Sequence, residues 1–551
     1  DGKFLAYGIA RAGSDWREWR VRDVATGRDF SEVLKWIKFS DVSWTVDHQG
    51  FYYSRYDEPK SGQEFTGANY HQKLYYHRVG EPQSSDKLIY ERPDHKEWAF
   101  DGQVTEDGRL LVVKVWRGTE RKHQILVRRL AESESPWIEL VMGFDARYEL
   151  VTSNDDSLWL HTDRDAPQGR IVGVRLSAPQ PEAWETIVRE SSDVLIDASA
   201  VGRRLIVRYL RDAASKVRVF KLDGGEERDV ELPGWGSVEG FHGWKTDDET
   251  FFSFSNFATP PTIYRYDVAS GKSTVFRTPR VAFKPADFEQ KQVFYLSKDG
   301  TRVPMTLIYK RGLTPNGENP TLLHAYGGFN VSLTPSFSVA NIVWLERGGL
   351  LAVANLRGGG EYGRAWHEAG MLANKQNVFD DFIAAAQWLI DNKYTNSKRL
   401  AITGRSNGGL LIGAAMTQRP ELFAAALPGV GVLDMLRYHK FTIGWAWQSE
   451  YGSSDDPEQF RYLRAYSPLH NLKPGVKYPA TLITTGDHDD RVVPAHSYKF
   501  AAALQACHAG DAPVLIRIET RAGHGAGTPT AKLIDAAADT LGFVAETLKL
   551  P

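Results

Sequence analysis

Through the first half of the chain, apolar and polar residues alternate in short runs, and each run is closed by Asp, Asn or Gly. Alternation with a period of two predicts half-buried β-strands, and the closing residues predict tight turns. A turn-then-strand unit opens at Asp1 to Gly8 and recurs at Asp47 to Tyr53, Asp107 to Trp116, Asn154 to His161, Val201 to Tyr209 and Asp247 to Phe254. A second strand-rich stretch follows most of these: Trp19 to Val24, Lys73 to Arg78, Gln124 to Leu130, Arg170 to Leu176, Lys216 to Leu222 and Thr262 to Val268. Six units with a period of roughly 46 to 60 residues predict the four-stranded blades of an all-β propeller. The chain opens inside a unit, so a first blade completed by residues outside this sequence is expected.

The pattern changes near Thr278-Pro279-Arg280, which sets expected domains at residues 1–280 and 281–551. From Gln292 onward, short apolar strands alternate with helical periods, predicting a mostly parallel sheet covered by helices. The strands are expected at Val303 to Tyr309, Thr321 to Ala325, Leu350 to Asn355, Leu400 to Thr403, Ala480 to Thr484 and Val514 to Glu519. Helices are expected at Asp380 to Ile390, Gly409 to Gln418, His496 to Cys507 and Thr530 to Leu548.

One pentapeptide in this half carries chemistry. Gly404-Arg405-Ser406-Asn407-Gly408 stands between a predicted strand and a predicted helix. There it reads as a nucleophile elbow, a strained turn that presents the Ser406 hydroxyl above a sheet. A base and an orienting acid are available on later loops. The strand ending at Thr484 leads into Asp487-His488-Asp489-Asp490-Arg491-Val492, and the strand ending at Glu519 leads into Arg521-Ala522-Gly523-His524-Gly525-Ala526-Gly527. The order Ser, Asp, His is that of an α/β-hydrolase. Ser406 would attack a carbonyl and His524 would take its proton, while spacing leaves Asp487, Asp489 and Asp490 open as the acid. His488 reads as a hydrogen-bonded residue rather than a metal ligand, since no second ligand stands at a suitable spacing. Arg357-Gly358-Gly359-Gly360-Glu361 lacks the ending of a phosphate-binding loop and reads as a tight turn.

Composition narrows the partners. The 551 residues are too many for one core, and 67 basic against 69 acidic residues leave a net charge of -2. Neither nucleic acid nor an anionic membrane is implied, and no apolar run approaches the roughly 18 residues of a spanning helix. Cys507 is the single cysteine; it excludes an internal disulfide framework and reads as a packed thiol. A cytoplasmic location fits this cysteine usage, as does a periplasmic one.

Longer words extend the motif. Tyr326-Gly327-Gly328-Phe329-Asn330, Ala354 to Gly363, Lys375 to Phe382, Ser406-Asn407-Gly408-Gly409, Asp487 to Val492 and Ala522 to Gly527 together resemble the prolyl oligopeptidases, the S9 serine peptidases. Leu74-Tyr75-Tyr76-His77 and Phe294 to Gly300 extend the resemblance more weakly into the first half. It implies an α/β-hydrolase domain under a seven-bladed propeller, with the first blade and an N-terminal segment incomplete here. It also implies a monomeric endopeptidase that cuts short peptides on the carboxyl side of proline, through an acyl-enzyme and without metal or organic cofactor. Carried over residue by residue, the nucleophile is Ser406, the acid Asp489 and the base His524. The oxyanion hole is the backbone N–H of Asn407 with the phenol of Tyr326. Trp447 would stack on the proline ring, Phe329, Val432, Tyr451 and Val492 would complete the pocket, and Arg491 would bind a substrate carbonyl. The sequence departs from the family at Arg405, where glycine is usual. A relative that cuts after Lys or Arg would need acidic residues to bind a cation, and the paired-Glu motif of dipeptide-releasing relatives is not seen in the first half.

Overall fold

The computed structural model describes residues 2–131, 135–525 and 527–550. Within residues 4–277 the strands form six antiparallel sheets, five of four strands and one of three. Phe4–Ala10, Arg17–Asp23 and Leu34–Ile37 make the three-stranded sheet, and Ser43–Trp44, Gly50–Arg55, Lys73–Arg78 and Lys87–Tyr90 the next. Each subsequent sheet repeats this meander of sequential neighbours. Buried clusters draw their residues from successive sheets: Tyr52 and Leu74 pack on Phe100 and Leu111, Leu110 and Val112 on Leu158 and Leu160, and Ile206 and Val217 on Phe252 and Phe254. Sheets that pack face to face in chain order are propeller blades. Six blades lie within the described residues, the first of them with three strands.

The predicted units are the central hairpin of each blade, as in Arg204–Arg211 paired with Ala214–Lys221. The outer strands escape the pattern because they are short and solvated. Glu226–Asp229 and Ser273–Arg277 contain no fully buried residue, so no alternation marks them.

The last blade strand ends at Arg277, and an eight-stranded sheet begins at Phe288. Its spatial order is Phe288–Leu296, Arg302–Lys310, Leu350–Ala354, Thr321–His324, Leu400–Arg405, Ala425–Gly429, Ala480–Gly486 and Val514–Glu519. Phe288–Leu296 and Arg302–Lys310 pair antiparallel, Arg302–Lys310 pairs antiparallel with Leu350–Ala354, and all later pairings are parallel. One face packs against Gln376–Asp391, Asn407–Gln418 and Ala495–Cys507, and the other against Val339–Glu346 and Thr530–Thr547. Both faces are therefore dry, which is why the central strands read as unbroken apolar runs. The sulfur-bearing Cys507 packs at the edge of the larger core.

Candidate active site

The strand Leu400–Arg405 and the helix Asn407–Gln418 meet at Ser406. Its φ of 59° and ψ of −119° lie where side chains are strained, at a cost of order 1–3 kcal/mol. The turn is held by neighbours: the Ser406 N–H donates to the Gly429 carbonyl at 2.9 Å. A Cβ on Gly404 would stand 2.5 Å from the Gly408 carbonyl oxygen, so only glycine permits strand and helix to close this tightly. Ser406 occupies the helix N-cap position but makes no side-chain capping bond. Its hydroxyl shares a cavity wall with the Tyr326 phenol, whose pKa burial raises and the neighbouring Ser406 opposes.

The three aspartates that spacing could not separate have three different partners. Asp489 accepts from His524, Oδ2 to Nδ1 at 2.8 Å, while its Oδ1 accepts the backbone N–H groups of Arg491 at 3.1 Å and Val492 at 2.9 Å. That carboxylate is buried and the imidazole nearly so. Asp487 faces His488 at 2.6 Å and accepts the Ala522 N–H at 3.2 Å, tying the two loops together and accounting for His488. Asp490 leaves its own domain altogether: it meets Lys38 of the first blade at 2.5 Å and accepts from the Ser14 hydroxyl at 3.1 Å and the Asp15 N–H at 2.9 Å. An imidazole whose Nδ1 is held by a carboxylate keeps Nε2 as its other acid-base nitrogen, the arrangement general-base catalysis at a serine requires.

The Asn407 side chain is pinned from both ends, Nδ2 donating to the Tyr326 carbonyl at 2.6 Å and Oδ1 accepting from the Tyr451 phenol at 2.8 Å. The Tyr326 to Phe329 loop is braced from below by a buried cation, because Lys375 donates to the Gly327 carbonyl at 2.9 Å and pairs with Glu450 at 3.2 Å. Glu450 also meets His367 at 2.8 Å. Burial opposes charge on Glu450, but Lys375 and His367 together hold it below the usual carboxylate range. These donors are thus fixed before any substrate charge appears, the condition for electrostatic stabilisation of an oxyanion.

A cavity of about 320 Å³ opens beside Ser406. Tyr326, Phe329, Val432, Trp447, Tyr451 and Arg491 lie on its wall, all expected from the sequence. Trp447 is held by stacking on Tyr438, 6.1 Å between ring centroids at 12°, and Phe329 meets Tyr451 edge-on at 5.3 Å. Val492 is buried in the same core cluster as Val432, Trp447 and Tyr451, and its N–H donates to Asp489 at 2.9 Å. Arg491 is on the wall, but its Nε and Nη2 already form a paired bond with Asp15 of the propeller at 2.9 and 2.6 Å. Sequence reasoning missed Ile443 and Ala446, and it missed the propeller's share: Phe39, Trp116, Gly118 and Thr119 complete the wall. No motif marks these four; docking alone brings them there. Thr119 donates both its N–H and its hydroxyl to the Ala446 carbonyl at 2.9 Å. The expected tight turn at Arg357 to Glu361 is present, with Arg357 forked onto Asp381 and Asp299.

Residues 1–279 match the prolyl oligopeptidase N-terminal beta-propeller domain, and residues 335–551 the prolyl oligopeptidase family. The chain belongs to the prolyl oligopeptidase family. Within that family, it is 46% identical to a prolyl endopeptidase of Elizabethkingia miricola over 543 residues, covering 98% of this chain and 76% of that one. A prolyl oligopeptidase A of Amanita bisporigera is 37% identical over all of this chain and 76% of its own. Among solved structures, one from a study of two prolyl endopeptidases superposes with a TM-score of 0.96 at 42% identity, over 100% of this chain and 81% of that one. Prolyl oligopeptidase B from Galerina marginata, bound to a 35-residue hydrolysis and macrocyclization substrate, gives 0.95 at 35% identity, over 100% and 79%. Among the described residues no helix is long and apolar enough to cross a membrane, and no group of three or more His, Cys, Asp or Glu is placed to hold a metal.

Proposed function

We propose that this chain is a serine endopeptidase that hydrolyses short peptides on the carboxyl side of proline, with residues 281–551 as its catalytic domain and residues 1–280 as the propeller that limits access. Ser406 attacks the carbonyl that follows the proline ring, and His524 takes the hydroxyl proton on Nε2 while Asp489 holds its tautomer. The tetrahedral oxyanion is met by the Tyr326 phenol and the Asn407 N–H, each such donor supplying about 3–4 kcal/mol. His524 then protonates the departing amine, and water repeats the sequence on the acyl-enzyme.

The observation that carries proline specificity is the chemistry of the wall. Among its described residues none is acidic, and six are aromatic, Trp447 among them, drawn from the catalytic half and the propeller. A pocket for Lys or Arg would need a carboxylate there. A proline ring is apolar and its nitrogen bears no hydrogen, so these walls bury it without stranding a donor. Arg491 serves a substrate carbonyl while remaining bonded to Asp15. Because propeller residues form part of the wall, a substrate has to be slender enough to pass between the domains.

Replacing Ser406 with Ala is expected to lower cleavage of a proline-containing peptide by at least about 10⁴-fold. Profiling the parent enzyme on a mixed peptide library is expected to show cuts after proline; cuts after Lys or Arg, or release of N-terminal dipeptides, would overturn the assignment.

A further inference from the structure

Arg405 is the last residue of the strand that delivers the nucleophile and immediately precedes it in the chain. Its side chain does not turn into the sheet. The stem crosses Gly429, where a Cβ would come within 3.0 Å of the arginine Cγ, so the absence of a side chain at 429 leaves the channel in which it lies. At the far end, Nη2 donates to the backbone carbonyl of His524 at 3.3 Å. Arg405 has no ion-pair partner among the described residues that would draw the guanidinium elsewhere; the Asp489 carboxylate acts on it only through space.

The contact matters because of what it touches. His524 sits among Gly523, Gly525 and Gly527, and the last two have φ of 131° and 69°. A backbone of this composition has little stiffness of its own, so its geometry depends on its hydrogen bonds. Upstream, the loop is tied by His488 N–H to the Ala522 carbonyl at 2.9 Å and by Ala522 N–H to Asp487. Downstream, Thr528 donates to the Gly525 carbonyl, a bond within the loop itself. At His524 the ring is held by Asp489 and the main chain by Arg405. Of these ties, the Arg405 bond alone joins the base to the residue covalently next to the nucleophile.

We propose that Arg405 is a positioning residue for the catalytic base, fixing the His524 main chain relative to Ser406. The inference rests on the triad proposed above. A charged donor to a neutral carbonyl is stronger than an ordinary peptide bond pair and, unlike a neutral donor, is present at every working pH. Its loss should widen the range of Ser–His separations without altering the proline pocket, whose wall does not include Arg405. The effect therefore belongs to the chemical step rather than to substrate affinity.

The test compares the parent enzyme with Arg405→Gly, Arg405→Lys and Arg405→Gln. Two rates are read: kcat and KM on a proline-containing peptide, and the second-order rate at which Ser406 is labelled by a fluorophosphonate. The reagent needs an activated serine but presents no peptide to bind. Positioning predicts that Arg405→Gly lowers kcat and labelling together by about tenfold, with KM unchanged within about twofold. Arg405→Lys should recover part of both losses, as should guanidinium ion added to Arg405→Gly at concentrations that leave the parent enzyme unaffected. Amide exchange at residues 521–525 should quicken in Arg405→Gly while the melting temperature stays within about 2 °C, as expected for an exposed side chain. Parent-like kcat and labelling in Arg405→Gly overturns the proposal, as does a change confined to KM, which would make Arg405 a substrate contact. If the parent enzyme itself is not labelled at Ser406, the triad reading fails instead, so the two failures are separable.

Discussion

Beside Asp489 the two halves of the molecule are joined by buried ion pairs, whereas beside Trp447 and Tyr362 they are joined by hydrogen bonds without an ion pair among those described. On the first side Lys38 and Asp490 are each 1% exposed, and Asp15 forks onto Arg491. Lys38 also lies 4.2 Å from the centre of the Trp16 ring. On the second side Thr119 donates to Ala446, the Tyr362 phenol donates to Asp212 at 2.8 Å, and Gln168 donates to the Tyr362 carbonyl at 3.1 Å. Water can replace the hydrogen bonds of the second side at little cost, but removing one charge of the first while the seam stays closed strands its partner in a dry interior. The two seams flank different parts of the same site. The ionic one borders Asp489 of the proposed triad, and the hydrogen-bonded one borders the pocket wall and the glycine-rich turn that precedes Tyr362.

The strongest way to break this contrast is Asp490→Ala, which leaves the Lys38 ammonium buried and unpaired. It is expected to cost about 3–5 kcal/mol, read as a fall in melting temperature, whereas Lys38→Met combined with Asp490→Leu should cost less than the single change. A single-mutant loss below about 1 kcal/mol would show the ionic seam to be no firmer than its counterpart.

A change at the foundation of the hydrogen-bonded seam is expected to have the next largest effect. Glu361, adjacent to Tyr362, is fully buried; it accepts from the Leu333 N–H at 2.8 Å and Asn355 Nδ2 at 3.1 Å, while its Oε2 has no partner. Burial pushes its carboxyl up to about 7. The folded state therefore holds a proton that the unfolded chain, with an ordinary carboxyl near 4.5, gives up earlier. The protein is expected to be favoured fully below about pH 4.5 at this position and to lose about 3 kcal/mol as pH rises through 7. Glu361→Gln should thus raise the melting temperature at pH 8 and leave it nearly unchanged at pH 5; an equal shift at both would exclude a titrating Glu361. The smallest effect is expected from Thr119→Ala, which keeps the backbone bond to Ala446 and loses the hydroxyl one. About 1 kcal/mol of docking should disappear, seen as a severalfold rise in KM for a proline peptide with kcat little changed.

How much of this could be read from the chain follows the range of the forces involved. Central blade hairpins declare themselves because tight turns and alternating burial are local properties, as in Asp247 to Phe254. The strand Ala425–Gly429 does not, although it lies inside the sheet between Leu400–Arg405 and Ala480–Gly486. It is five residues, three of them Ala or Gly, with Pro428 among them, and proline ordinarily argues against a central strand. The elbow and the two loops that follow Thr484 and Glu519 were likewise legible, since their chemistry depends on residue types near strand ends. Spacing alone could not choose among Asp487, Asp489 and Asp490, because each is a carboxylate in one loop and only tertiary partners distinguish them. Phe39, Trp116 and Thr119 were invisible for the same reason: they reach the pocket through the docking of another domain, which leaves no local trace.

Asp489, Asp490 and Arg491 point in sequence to His524, to Lys38 and to Asp15. Substituting one of them alters one of these links. Inserting or deleting a single residue between Gly486 and Pro494 would instead misdirect all three charges at once, turning an acid meant for the imidazole toward the propeller. Along this stretch the property that descent can least afford to change is therefore the length of the loop, and natural variants are expected to differ here by exchange of residues and not by their number.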